Sequence, residues 1–318
     1  MKPIVSVVIP TYNRLNVLKR TLECVEHQTI GRSEYQIIVV DDSSKDGTGD
    51  YLAKLSGIDW HINEFNKGRA VTRNLGIKLS KAELIIFIDD DIWVDNNLLM
   101  KHVERHKENI NVVVGAIKPS PEVNNTIVNA YMNRHHEWCC REMLLSKEAL
   151  PYTFLKTANV SVPKTVFKEV GLFNEKFYHY GGEDTELGYR LHKHGVQIIY
   201  EPKAVGYHYH NETIDSIVER EVARTKSLRI LKELITIEKD DTSYDGFFTA
   251  KYHVITNIKT FLYNIVKYLL FLKYSKNINK LIIKTMIKLN LFQDMVINIL
   301  IPILKIQYLY FGQKQNED

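Results

Sequence analysis

The chain is short of cysteine, of leader-like sequence and of unbroken apolar runs, and each shortage removes a class of protein. Its 318 residues include three cysteines, Cys24, Cys139 and Cys140. An odd number with no spacing signature builds no disulfide framework and suits a reducing compartment. The opening MKPIVSVVIP has one lysine, then a proline, then a strand-like run, too short and too early for a secretory leader. A cytoplasmic location is therefore expected, if the source is bacterial. Phe261–Leu272 and Leu291–Leu304 are apolar, but Asn264, Lys267, Gln293, Asp294, Asn298 and Pro302 break them. Neither run attains the roughly 20 residues of a membrane-spanning helix. Repeats and low-complexity tracts are also missing.

Charge is unevenly missing. Residues 251–314 have ten lysines, no arginine and a single acid, Asp294, while residues 1–250 are slightly acidic, within a net charge of +4. Such asymmetry predicts a separate basic module that meets an anionic surface, and the N-terminal part is not expected to bind nucleic acid.

What is present is a succession of short apolar runs, each ending in polar residues. Ile4–Pro10, Tyr35–Val40, Ile58–Glu64 and Leu84–Ile88 read as strands, and Leu15–Gln28 and the stretch from Lys67 to Leu79 as helices between them. Strand and helix alternating at this spacing predict a doubly wound α/β fold with a mostly parallel sheet. Further on, Val112–Ile117, Phe154–Val162, Val196–Tyr200 and Ala204–His210 read as strands. Pro163–Val170 and Glu183–His194 read as helices, and Trp93–Glu104 also fits a helix behind an acidic turn.

The run LIIFIDDDI (84–92) stands at the centre of this pattern. Its apolar part fits a strand buried on both faces. Asp89, Asp90 and Asp91 then fall where the strand ends, the place where open α/β sheets bind ligands. Acids at i and i+2 can aim oxygens at one hard cation. By themselves they fit an acidic helix-capping turn equally well.

Seven segments decide between these readings: SVVIPTYNR (6–14), IIVVDDSSKDGT (37–48), KGRAVTRNLGI (67–77), IIFIDDDI (85–92), TANVSVPKTVFKEVGLFNEKF (157–177), GGEDTELGYRL (181–191) and EPKAVGYHYH (201–210). In this order they resemble the family 2 inverting glycosyltransferases of the GT-A fold, over about two thirds of the chain. The resemblance implies transfer of a hexose or N-acetylhexosamine from a nucleotide-sugar, most readily a UDP-sugar, to a hydroxyl of a glycan acceptor. Surface polysaccharide or glycoconjugate synthesis is the implied setting, with the acceptor lipid-linked in some such enzymes. It also implies a divalent cation, Mn2+ or Mg2+, since carboxylate ligands suit hard ions.

Residue by residue, the resemblance makes Asp91 the direct metal ligand. Asp89 supports the metal and the donor ribose, and the role of Asp90 stays open. His208 matches a histidine that reaches the metal, with His210 as its lesser competitor on the same face. Asp42 matches the acid that receives the nucleobase, and Pro10, Thr11 and Tyr12 match a uracil-facing loop with Arg14 beside it. Arg73 approaches the base or the diphosphate, unless it is a solvated helix arginine. Asp184 matches the base that deprotonates the acceptor, and Glu183 a residue that binds sugar hydroxyls; two acids opening a helix would also favour its positive end. Gly181-Gly182 gives the preceding loop room to move.

Other features fall outside the resemblance. His135, His136, Cys139 and Cys140 form two i, i+4 pairs on one expected helix, but four ligands would crowd there, so an acceptor pocket with Trp138 and Tyr131 as stacking surfaces is expected instead. A GT-A domain is expected over 1–214 and a mainly helical, basic extension over 215–318. In that extension Lys273, Lys276, Lys280, Lys284 and Lys288 make one helical stripe. Leu281, Ile282, Met286, Ile287 and Leu289 lie beside it, as in a helix resting on an anionic membrane at the inner face of the cell. Packing on its own chain or on a partner is the alternative. Other functions compete with this one. A sugar-phosphate nucleotidyltransferase needs a glycine-rich basic loop where this chain has PTYNR, and a non-catalytic nucleotide-sugar-binding module has no use for Asp91, Asp184 and His208 together.

Overall fold

The computed structural model describes residues 2–107, 112–123, 126–146, 149–210 and 212–235, and besides these 280, 281, 283–285, 287 and 301. They divide into two compact units, residues 1–123 with 136–210, and residues 124–135 with 211–318. A boundary drawn only after residue 214 therefore leaves out residues 124–135, which cluster with the C-terminal part.

The elements follow in the order β1 (Val5–Thr11), α1 (Leu15–Glu26), β2 (Tyr35–Asp41), α2 (Thr48–Leu52), β3 (Asp59–Ile62), α3 (Arg69–Leu79), β4 (Leu84–Ile88) and β5 (Ile92–Val94). Then come α4 (Leu98–His106), β6 (Val112–Pro119), α5 (Ile127–Leu145), β7 (Asn159–Pro163), α6 (Lys164–Val170), α7 (Glu183–Lys193), β8 (Ile198–His208) and α8 (Ile214–Leu234). In the first unit the strands form one sheet in the order β3-β2-β1-β4-β7-β6-β8-β5.

The sheet is mixed. β1 pairs in parallel with β2 and β4, β2 with β3, and β6 with β8. β7 runs antiparallel to β4 and β6, and β5 antiparallel to β8. The reversal has a chain-path cause. β6 ends at Pro119, opposite His208, and β7 begins at Asn159, opposite Ile88, so the connection leaves and re-enters at the same end of the sheet.

Three expected elements differ from those observed. Phe154–Val162 is not one strand: Tyr152–Phe154 is a turn of 3-10 helix, and only Asn159–Pro163 is extended. The helix placed at Trp93 starts at Leu98 instead. Ile92 N donates to Asp89 O at 3.0 Å, which turns the chain sharply and frees Ile92–Val94 to pair with β8. Val196–Tyr200 and Ala204–His210 merge into β8, whose register on β6 jumps from Gly115↔Glu201 to Ala116↔Val205, so that Pro202 is absorbed in a bulge.

The core forms on both faces, as period-2 alternation along buried strands requires. Val8, Ile38, Val40 and Phe87 pack with Ala70 and Ile77 of α3, Phe167 of α6 and Leu187 and Leu191 of α7. Val7, Ile9, Ile37, Val39 and Ile86 pack on the other side with Leu18, Leu22 and Val25 of α1 and with Leu98 and Leu99 of α4. The i, i+4, i+7 spacing in α1 is what turns one apolar stripe inward.

A buried polar network crosses this apolar interior. The Asn159 side chain donates to Ala116 O and Ala204 O, leaving its carbonyl oxygen to accept from His102 Nε2 at 2.9 Å. With that hydrogen on Nε2, His102 Nδ1 is an acceptor, 2.8 Å from Ser161 Oγ, and Ser161 in turn lies 2.8 Å from His106 Nε2. Every link has a defined sense, so the network ties α4 to β6, β7 and β8 without an unmet donor among these atoms.

In the second unit α8 begins with a reciprocal cap: Ser216 N donates to Thr213 Oγ1 at 3.1 Å, and Thr213 N to Ser216 Oγ at 2.9 Å. Ile214, Ile217 and Val218 of α8 pack with Ile127, Val128, Ile283 and Ile301. Lys280 and Lys284 both pair with Asp215. Two lysines of the basic stripe thus face their own chain, and Ile283, not the exposed Leu281, supplies the buried apolar contact. Lys273, Lys276, Lys288, Ile282, Met286 and Leu289 lie outside the described residues, as do the apolar segments apart from Ile301. Among the described residues no helix is long and apolar enough to cross a membrane.

Candidate active site

The strand order reverses between β1 and β4. From β1 the chain builds outward through β2 and β3, then returns to place β4 on the other side of β1. In open α/β sheets the crevice at such a reversal, beyond the carboxyl ends of the strands, is the ligand site. Here a cleft opens there, of about 320 Å³, lined by Pro10, Thr11, Tyr12 and Arg14 after β1, Asp42 after β2, Arg73 in α3 and Asp89, Asp90 and Asp91 after β4. All of these are residues that the sequence singles out.

The three consecutive aspartates can coexist because each meets a different partner. Asp91 contacts Arg14 and lies 3.3 Å from His208 Nε2. Asp90 accepts from Thr11 Oγ1 at 2.7 Å, and Arg14 reaches it at 3.4 Å. Asp89 accepts from Arg73 at 2.9 Å. Burial and the neighbouring charge of Asp91 push the Asp90 carboxyl up. Burial also opposes ionisation of Asp91, but His208 and Arg14 outweigh it and hold Asp91 well below the usual carboxylate range. Asp91 is thus the ionised member of the pair. Asp90, whose role the sequence left open, sits closer to Arg14 and the β1 loop than Asp89 does.

His208 arrives through pairing. It stands opposite Ile92 in the β5–β8 ladder, and Tyr209 N donates to Asp91 O at 2.9 Å. Trp93 stacks on Tyr209 at 4.4 Å and clamps the same junction. Burial disfavours a charged His208, yet the Asp91 carboxylate more than offsets this and raises its pKa.

Arg73 is no solvated helix arginine. It is 1% exposed and spans Asp89 and Glu183, at 2.9 Å to each. The pairing turns Glu183 toward Arg73 and into the interior, where burial first, then the charge of Asp184, raise its pKa. Asp184 is half-buried, accepts from its neighbour Thr185 N at 2.8 Å, and lies outside the residues that line the cleft. Gly181 and Gly182 before them have φ of 79° and 99°, a region that favours glycine, and Gly182 starts α7.

Asp42 organises the loop before α3. Its carboxylate accepts from Asn63 Nδ2, Lys67 N and Gly68 N, each at 2.8 Å. Three of about four acceptor positions are thereby filled, leaving one toward the cleft. Asp41 is turned the other way: one of its oxygens accepts from Ser44 N and Oγ, and burial raises its pKa.

The cleft also contains residues that the sequence did not mark as site residues: Asn66, Gly68, Arg69, Thr72, Tyr178, His179 and Tyr180. Gly68 has φ of 85°, and a Cβ there would stand 2.9 Å from Tyr178 O, so only glycine lets the 178–180 loop close over it. The Arg69 guanidinium lies over the Tyr180 ring at 4.7 Å. Its spacing of four from Arg73 puts both on one helix face, a signal available in the sequence.

The residues present fit a divalent cation. A guanidinium already seated between Asp90 and Asp91 shows that the acids demand positive charge. Asp91 and His208 offer converging oxygen and nitrogen donors, and Asp89 keeps one oxygen beyond its bond to Arg73. His136, Cys139 and Cys140, which share one helix with His135, are directed to different neighbours. Cys139 and Cys140 pack against the core, Cys140 Sγ donates to Ile117 O at 3.3 Å, and His136 meets His208 instead. Trp138 is 40% exposed and stands near Phe154, with 6.4 Å between ring centroids.

Comparison with known proteins gives the family and the fold. The model of the family described as Glycosyl transferase family 2 matches residues 6–171, and one described as the N-terminal domain of galactosyltransferase matches residues 141–213. A validoxylamine A glucosyltransferase of Streptomyces hygroscopicus subsp. jinggangensis (strain 5008) is 32% identical over 221 residues, covering 61% of this chain and 52% of its own. A chondroitin synthase of Pasteurella multocida (strain Pm70) is 26% identical over 262 residues, covering 72% of this chain and 27% of its own. The chain thus spans about half or less of the length of these curated relatives. Among solved structures, a mannosyltransferase of Pyrobaculum calidifontis in complex with GDP-Man and Mn2+ superposes with a TM-score of 0.65 at 14% identity. That superposition covers 100% of this chain and 89% of the other. TarS residues 1–349 of S. aureus, also solved in complex with UDP, superpose with a TM-score of 0.53 at 16% identity, covering 98% and 92%. At such identities the likeness concerns the fold, which is GT-A.

Proposed function

The chain belongs to glycosyl transferase family 2, and from that premise we propose that its cleft performs an inverting, metal-dependent transfer of a hexose or N-acetylhexosamine from a nucleotide-sugar to a glycan hydroxyl. The observation that carries the reading is the meeting of Asp89, Asp90 and Asp91 with Arg14, Arg73 and His208 at the strand-order reversal. The donor is a UDP-sugar, its base held by Asp42 and by Pro10, Thr11 and Tyr12. A divalent cation, Mn2+ or Mg2+, held by Asp91, Asp89 and His208 would neutralise charge on the departing diphosphate. The mannosyltransferase solved with GDP-Man and Mn2+ supports a nucleotide-sugar with a divalent cation, and TarS solved with UDP supports the uracil base.

The chain's own residues supply the rest. Asp184 removes the proton of the acceptor hydroxyl as its oxygen bonds to the anomeric carbon, on the face opposite the diphosphate. The bond from that carbon to the diphosphate oxygen breaks with its electron pair leaving on oxygen. Arg14 and Arg69 face the developing charge from preorganised positions in the cleft. Arg73 holds Asp89 and Glu183 in place, and Glu183 orients α7 so that Asp184 meets the acceptor. The acceptor is a growing glycan of surface polysaccharide or glycoconjugate, presented at the inner membrane face, where the basic C-terminal region would keep the enzyme.

A donor screen with Mn2+, reading release of UDP, GDP and dTDP, tests this directly. UDP release is expected, and Asp184→Asn is expected to lower turnover by about 10²–10⁴-fold while UDP binding persists. Full turnover by that variant would refute Asp184 as the base. GDP release alone would overturn the uracil assignment.

A further inference from the structure

Three histidines from two distant parts of the sequence meet behind Asp91. His136, His208 and His210 each offer a ring nitrogen, all within 4.8 Å of one another. His136 Nε2 is 2.9 Å from His208 Nδ1, and the three ring centroids are 4.9 to 5.8 Å apart. Folding explains the meeting. Cys140 anchors α5 on Ile117 of β6, and one helical turn earlier lies His136. Two residues further along β6, Pro119 stands opposite His208. One turn of helix advances about 5.4 Å and two strand residues about 6.6 Å, so the two imidazoles arrive side by side.

We propose that His136, His208 and His210 form a second metal site, selective for a borderline divalent cation such as Zn2+ and competing with the carboxylate centre for His208. Zinc–imidazole bonds of about 2.0–2.1 Å at tetrahedral angles separate ligand nitrogens by roughly 3.3 Å. The 2.9 Å pair is already near that value, and small ring rotations bring in His210. Three neutral imidazoles without a carboxylate suit Zn2+, Co2+, Ni2+ or Cu2+ and not Mg2+ or Ca2+. The trio also differs from any ligand set at Asp89–Asp91, where oxygen donors dominate.

Competition follows from the chemistry of one ring. A neutral imidazole has one lone pair and one N–H. A cation bound at His208 Nδ1 puts the hydrogen on Nε2, which then donates toward Asp91, 3.3 Å away. His208 can no longer offer Nε2 to a metal at Asp91. The site itself is independent of sugar transfer; only the competition rests on the reading of Asp91 and His208 as a metal centre.

Calorimetric titration of the full chain with Zn2+ alone and with Mn2+ alone, without nucleotide, separates these. The same variants are titrated with Co2+, whose visible absorption reports nitrogen-rich coordination of low number. Wild type is expected to take up one Zn2+, and His136→Ala and His210→Ala to bind it at least about ten-fold more weakly with Mn2+ uptake unchanged. Zn2+-loaded wild type is expected to take up Mn2+ at least about ten-fold more weakly. His210→Asn, which keeps bulk at a buried position, guards against misfolding and is checked by thermal melting. Undiminished Zn2+ affinity in both alanine variants, or loss of Zn2+ only in Asp91→Asn, would overturn the site. Zn2+ and Mn2+ bound together without mutual effect would overturn the competition alone.

Discussion

Arg73 donates to Asp89 from Nη2 at 2.9 Å, and this single contact joins the third helix to the acids at the end of β4. Its other terminal nitrogen holds Glu183, so a fully buried cation links the acids after β4 to the start of α7. Burying a charge costs several kcal/mol, and breaking such a pair strands the partner. Arg73→Met is therefore expected to lower unfolding free energy by about 3–5 kcal/mol, measured by urea denaturation. Adding Glu183→Gln should recover part of that loss, because it removes the stranded carboxylate. Equal stability of wild type and Arg73→Met would show that the pair carries no weight.

Asp91 and Asp90 separate by charge state. Asp91 is held ionised by His208 and Arg14, whereas burial and Asp91 push Asp90 toward its neutral form. Asp91→Asn is expected to weaken Mn2+ binding at least about ten-fold in calorimetric titration, and Asp90→Asn distinctly less. Chelation of the metal should abolish tight UDP binding by wild type. UDP binding that is indifferent to Mn2+ would remove the support for a cation at Asp91.

His102 makes stability depend on pH. Burial lowers its pKa from 6.5 to about 4, against the opposing hydrogen bond to Asn159 and with some help from neighbouring His106. A folded-state pKa below the unfolded value means that the unfolded chain binds the extra proton first, so stability falls as pH drops from 6.5 toward 4. By pH 5 the loss amounts to about 2 kcal/mol. Urea unfolding at pH 7.5 and pH 5 should show a pH dependence smaller by that amount in His102→Gln than in wild type.

Asp215 pairs with Lys280 and Lys284, so the proposed contact of the basic 251–314 segment with an anionic surface is tested on its other lysines. In liposome flotation the full chain is expected to rise with anionic vesicles and not with neutral ones, and added salt should release it as Debye screening shortens. A chain with Lys273, Lys276 and Lys288 changed to glutamine should float several-fold less. Equal flotation of the two chains would exclude the stripe as the contact.

The sequence carried far where chemistry is local. Apolar runs marked β1, β2 and β4, since a strand buried on both faces admits a polar side chain only with a partner, as Ser6 has in Gln36. Polar residues at the ends of those runs marked Thr11, Asp42, Asp89 and Asp91 as candidates, since open α/β sheets bind ligands where strands stop, and the family resemblance added Asp184 at the start of a helix. Even Arg69 was within reach, four residues before Arg73 on one helix face. Tertiary structure decided what depends on long-range pairing. The reversal of β7 follows from a connection that returns to the same end of the sheet, which no window of sequence records. Glu183 turns to a buried arginine 110 residues away. Asp90 is set apart from Asp89 by Arg14, which approaches from another loop. His136, which the sequence placed in an expected acceptor pocket, finds His208 because β6 and β8 share a register. Periodicity and residue type follow from local sterics and solvation, whereas partner choice follows from which distant strands come to lie side by side.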